Sequence, residues 1–137
     1  MQTFLPFPSF TDSARVLDSK RLGKQRVECL QILKALTLPS YGWQNHPAVK
    51  MWRGFEHQLV VYGYAVCLEW VSRGFKDTCF GKISEFHKLY PNGAARIPWL
   101  NDELCTSHQS NLLRKLPEHY TPHFPNVPDD LPYVWPV

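Results

Sequence analysis

Proline placement constrains this chain more than any other feature. Of its 12 prolines, six fall between Pro117 and Val137, and two more, Pro6 and Pro8, lie in the opening MQTFLPFPSF. Proline removes a backbone N–H and collides with the preceding turn, so the opening cannot form a regular helix and the closing segment is expected to be neither a helix nor a central strand. The apolar opening is expected to run as an extended arm laid against a folded body. The closing segment HYTPHFPNVPDDLPYVWPV carries Tyr120, Phe124, Tyr133 and Trp135, whose apolar area should pin it over that body.

Between the two ends the pattern is helical. Thr11, Asp12 or Ser13 can cap a helix running to about Leu36, where TLPSYGW breaks it. Asn45, His46 and Pro47 open a second helix, with proline near its first position, where the missing N–H costs nothing. Trp52, Phe55, Leu59, Tyr62, Val66 and Trp70 then recur at steps of three and four, one apolar face of a long helix ending at Arg73-Gly74. A shorter helix is expected around Gly81 to Leu89. A last one should span Asn101 to Leu116, with Leu104, Leu112 and Leu113 inward. No alternating run is long enough for a sheet, and there is no internal repeat. The expected fold is a single all-α domain over residues 1–137: a compact helical bundle with an extended N-terminal arm and an irregular, aromatic-rich tail.

Composition narrows the function classes. No apolar run is long enough for a membrane span or a signal segment, so a cytoplasmic protein without a membrane partner is expected. Cys29, Cys67, Cys79 and Cys105 lack the close pairing of a zinc site or a disulfide scaffold and are read as reduced thiols. The six histidines form no metal-ligand spacing, and no phosphate-binding loop, dinucleotide fingerprint or nucleophile elbow is present. No metal or cofactor is expected.

Charge distribution says more than net charge. The chain carries 15 basic and 12 acidic residues, a surplus of three. Between Ser13 and Lys34, however, Arg15, Lys20, Arg21, Lys24, Arg26 and Lys34 face only Asp18 and Glu28. On a helix at about 100° per residue, Lys20, Lys24, Glu28 and Gln31 fall within roughly 80° of one another, with Arg21 beside Glu28. One face thus gathers cations around a single carboxylate. It reads either as a solvated face with a weak Lys24–Glu28 pair or as an anion-binding site. Arg26 lies towards Leu22, Leu30 and Leu33, as an edge residue or a cation reaching a buried acceptor. His108, Asn111 and Lys115 share a face of the last helix.

The runs VLDSKRLGKQRVECLQIL, NHPAVKMW, CLEWVSRGF and SHQSNLLRKLPEHY with PYVWP, in that order, resemble the pyrimidine-dimer DNA glycosylase family. The resemblance implies a compact all-α fold with an N-terminal arm passing between helices. It also implies a bifunctional glycosylase and apurinic/apyrimidinic lyase, in which the terminal α-amine attacks the deoxyribose C1′, displaces the base and forms an imine that permits elimination of the 3′ phosphate. An α-amine is roughly 10 to 20% neutral at pH 7 against about 0.04% for an ordinary lysine, a few-hundredfold advantage in free nucleophile. The family's glutamate lies six residues after a leucine on the first helix, which maps it from Leu22 to Glu28. The amine would belong to Met1, or to Gln2 after methionine removal.

By the same resemblance, contacts to duplex DNA carrying a lesion, modified base or abasic site fall to Lys20, Arg21, Lys24, Arg26, His46, His108, Asn111, Arg114 and Lys115. Tyr41, Trp43 or Tyr120 would serve as a wedge or stacking surface. A monomer is expected. Two departures stand out: Val27 occupies the position where family members usually carry arginine, and Gln2 is large. A non-catalytic nucleic-acid-binding module, which needs the basic face but no amine, is the alternative from another class; an enzyme on a small anionic substrate is the third.

Overall fold

The computed structural model describes residues 1–137 and contains seven helices and no strand. They are α1 (Phe10–Val16), α2 (Ser19–Thr37), α3 (Pro47–Lys50), α4 (Glu56–Ser72), α5 (Phe80–Leu89), α6 (Asp102–Lys115) and α7 (Pro117–Tyr120). The all-α expectation holds. No helix is long and apolar enough to cross a membrane.

Two expected helices are each divided. The first breaks at Leu17–Asp18, both extended in backbone. Asp18 accepts Arg21 N–H to cap α2, while its own N–H is taken at 2.9 Å by the Tyr120 hydroxyl, which also donates to the Asp18 carboxylate. A tertiary contact therefore supplies the partner that a continuous helix would have supplied. The second breaks at Gly54, whose φ of 90° only glycine adopts without strain. Even so, Trp52, Leu59, Tyr62 and Val66 remain buried, and Phe55 and Trp70 pack against the same core.

The core is one cluster built around α4, which packs on α2, α1 and α5. Close approach depends on Gly63 of α4: a β-carbon there would meet Cys29 Sγ at 2.8 Å and Ile83 Cδ1 at 3.0 Å. Helix α6 is capped by Asn101, which accepts Leu104 N–H at 3.0 Å, and buries Leu104, Leu112 and Leu113. The tail is non-helical except for the single turn of α7, where proline sits at the tolerated first position. Its last stretch is held to α6 by one polar stripe. Ser107 Oγ donates to Pro132 O and accepts Val134 N–H, Ser110 Oγ accepts Leu131 N–H, and Arg114 Nη1 donates to Asp129 O and Leu131 O. All four cysteines are free and buried.

Candidate functional site

The arm does more than lie on the body. Residues Thr3 to Pro6 are buried, and an extended strand without sheet partners must have its backbone groups satisfied by side chains. Gln25 of α2 supplies two of them: its Oε1 accepts Phe4 N–H at 2.9 Å and its Nε2 donates to Gln2 O at 3.2 Å. The Tyr62 hydroxyl lies 2.6 Å from Gln25 Oε1 and 2.9 Å from Phe4 O. Further along, His108 Nδ1 accepts Leu5 N–H at 2.8 Å, Gln109 Nε2 donates to Pro6 O at 2.7 Å, and Trp52 Nε1 donates to Thr3 Oγ1 at 3.1 Å. The chain's first residues are thereby fixed by α2, α4 and α6 together.

That fixation brings the backbone of residue 2 to Glu28, while the Met1 amine forms no ion pair with the carboxylate. The Gln2 backbone nitrogen lies 3.4 Å from Glu28 Oε2, and Gln25 Nε2 donates to the same oxygen at 3.1 Å. Oε1 of Glu28 carries no protein hydrogen bond, and no lysine comes within ion-pairing distance, so the Lys24–Glu28 surface pair is absent. A cavity of about 220 Å³ opens here between the arm, α2 and the end of α6. Lys20, Arg21, Lys24 and Lys115 line it with Gln2, Phe4, Gln25 and Glu28. Four cations thus surround one carboxylate, and among the candidates from α6 only Lys115 joins them. Lys20, Lys24 and Lys115 are exposed, whereas Arg21 is half-buried and pairs with Asp18 at 3.3 Å. Val27 is exposed one turn beyond Lys24, so the departure from the family's arginine leaves a neutral spot on this face.

His46 stands at the same corner. Its Nδ1 accepts Ala48 N–H at 3.0 Å, capping α3 and leaving the neutral ring's proton on Nε2. Burial, followed by the positive charge of the chain terminus, holds its pKa below the ordinary value, with Glu28 pulling the other way. Imidazole, terminus and carboxylate therefore share one electrostatic neighbourhood.

Other expected DNA contacts lie elsewhere. Arg26 turns away from the cavity: its Nη1 pairs with Asp77 at 2.6 Å and its guanidinium lies over the Trp70 ring at 4.5 Å. It is the cation that reaches a buried acceptor. His108 is fully buried, and burial pushes its pKa down to about 3, so it fastens the arm and faces no solvent. Arg114 is spent on the tail carbonyls, and Asn111, half-buried, does not line the cavity. Tyr120 is wholly buried on Asp18 and cannot serve as a wedge. Of the wedge candidates, Trp43 is exposed and Tyr41 half-buried. Sequence reasoning missed Gln25 and Tyr62. Gln25, a polar residue between the cationic face and the Leu22 side of α2, was the available signal. No group of three or more His, Cys, Asp or Glu side chains is arranged to hold a metal ion.

Comparison with known proteins gives one match: a family model described as pyrimidine dimer DNA glycosylase covers residues 1–82. The match takes in the arm, α1 to α4, Glu28 and the three α2 cations; α6, Lys115 and the tail lie outside it. No curated protein and no solved structure matches the chain.

Proposed function

The chain belongs to the pyrimidine dimer DNA glycosylase family, and from that premise we propose that it is a DNA glycosylase with lyase activity, working through its amino-terminal amine and Glu28. The observation that carries this reading is the 3.4 Å approach of the Gln2 nitrogen to Glu28 Oε2 at the edge of a cation-lined cavity. With Met1 present that nitrogen is an amide and the free amine lies one residue further out. Removal of Met1 would turn the same nitrogen into the amine.

In the proposed reaction the neutral amine attacks C1′ of the damaged nucleotide. The N–C1′ bond forms as the glycosidic bond breaks, and its electron pair leaves with the base, which takes up a proton. Loss of the sugar ring-oxygen bond gives the imine. A base then removes a C2′ proton, the electrons form C2′=C3′, and the C3′–O bond breaks with the 3′ phosphate as leaving group; water finally hydrolyses the imine. Glu28 stabilises the cationic sugar and moves the protons, through the oxygen that no protein group occupies. Lys20, Lys24 and Lys115, with Arg21, would hold the flanking phosphates, positioning the duplex without reading its sequence. A lesioned step is already poorly stacked, so opening it costs a few kcal/mol less than in intact DNA.

The test is Glu28→Gln, which keeps the side chain's size and can still accept from Gln25. Strand cleavage at an abasic site is expected to fall by about 100-fold or more, with duplex affinity within about twofold of the parent. Retained cleavage would remove Glu28 from the chemistry.

A further inference from the structure

The loop between α2 and α3 holds out one large aromatic side chain. Trp43 is 64% exposed, and its φ of 61° makes it the only non-glycine residue in the left-handed region. Both features cost free energy: an indole left in water, on a backbone that glycine or asparagine adopts more readily. The loop is nevertheless built to keep it there. Gln44 Nε2 donates to Leu38 O at 3.1 Å and to Pro39 O at 2.8 Å, and Arg53 Nη2 donates to Gln44 O at 3.1 Å. His46 N donates to Trp43 O at 3.0 Å. Strain of this kind persists where the surroundings over-determine it, and such positions concentrate at ligand-binding sites.

Its position agrees. The Trp43 ring meets His46 edge-on at 6.1 Å, and the His46 ring in turn meets Trp135 of the tail at 6.0 Å. Trp43 therefore stands one imidazole away from the corner shared by the chain terminus and Glu28, with most of its side chain open to solvent.

We propose that Trp43 is a nucleobase-stacking platform: its indole packs face-on against an unstacked base at or opposite the lesion, with His46 behind it as a buttress. The inference rests on the reading of the substrate as damaged DNA and adds the group that holds the displaced base. Stacking on an indole needs only a π-face and so serves any of the four bases, which suits a protein whose other contacts are to phosphate.

The experiment uses the full chain, Trp43→Ala and Trp43→Phe, on two duplexes. The first holds an abasic site with 2-aminopurine opposite. In the second, the nucleotides opposite and beside that site are replaced by base-free deoxyribose, which keeps the phosphates and removes the rings. On the first duplex Trp43→Ala is expected to weaken binding roughly 5- to 150-fold and to abolish the 2-aminopurine quenching seen with the parent, while Trp43→Phe recovers most of both. On the second, parent and Trp43→Ala should bind alike. Equal binding of parent and Trp43→Ala to the first duplex, or an equal loss on both duplexes, would overturn the proposal. Borohydride trapping, read in parallel, separates this from the amine chemistry: quenching without an adduct supports the platform and counts against the amine, and an adduct without quenching does the reverse.

Discussion

A single imidazole ties the arm to α6. Because His108 Nδ1 accepts the Leu5 N–H at 2.8 Å, the ring must be neutral with its proton on Nε2, and burial depresses its pKa to about 3. In the unfolded chain a histidine titrates near 6.5. Between these values the unfolded state binds a proton that the native state does not, so stability is full above about pH 6.5 and is lost as pH falls towards 3. The slope expected within that window is up to about 1.4 kcal/mol per pH unit. Urea unfolding at pH 7 and pH 5 should show it for the parent and much less of it for His108→Gln, whose amide oxygen can accept the same N–H. An identical pH dependence in both would contradict the assignment. The residue-level lesson lies in the same helix. His108 shares a face with Asn111 and Lys115, but it also stands in the i, i+4, i+8 row of Leu104 and Leu112, both buried. The apolar row decides its fate, and it was visible in the sequence. The Lys20, Lys24, Glu28 face needed nothing beyond helical periodicity to be found, because all three residues lie on one helix.

At the scale of elements, the cations of α2 divide between two tasks. Lys20 and Lys24 face the cavity, whereas Arg26 ties α2 to the turn before α5. Its partner Asp77 is nearly buried, accepts Cys79 and Phe80 N–H at 3.1 and 2.7 Å, and so also caps α5. Burial raises the Asp77 pKa, but the Arg26 hydrogen bond and these N–H groups outweigh it and hold the carboxyl below its ordinary range. Removing one partner leaves a largely desolvated charge, at a cost of about 3 kcal/mol or more. Asp77→Ala is therefore expected to lower the unfolding free energy by about that amount and to leave the salt dependence of DNA binding unchanged, since neither side chain faces the cavity. A steeper salt slope would place the released Arg26 at the DNA interface. Helix existence and type were legible from periodicity. The break at Asp18 was not, because the group that takes its N–H, Tyr120, lies 102 positions along the chain.

For the whole molecule, the position of the terminus is a property of the entire fold. Side chains from α2, α4 and α6 grip the arm, and the tail in turn is tied to α6 through Ser107, Ser110 and Arg114. The family match ends at residue 82, yet the His108 anchor and the fourth cation of the cavity, Lys115, come from beyond it. That the proline-rich ends would be ordered was readable from their aromatic content. The meeting of terminus and Glu28 was reachable only through the family resemblance, since no local pattern brings residues 26 positions apart to 3.4 Å. Borohydride trapping on an abasic duplex, followed by mass mapping of the adduct, decides whether the terminal amine is the nucleophile. A covalent adduct is expected on the amino-terminal residue, abolished when that amine is blocked by reductive methylation. An adduct on Lys20, Lys24 or Lys115, or none from a chain with a free terminus, would contradict that assignment.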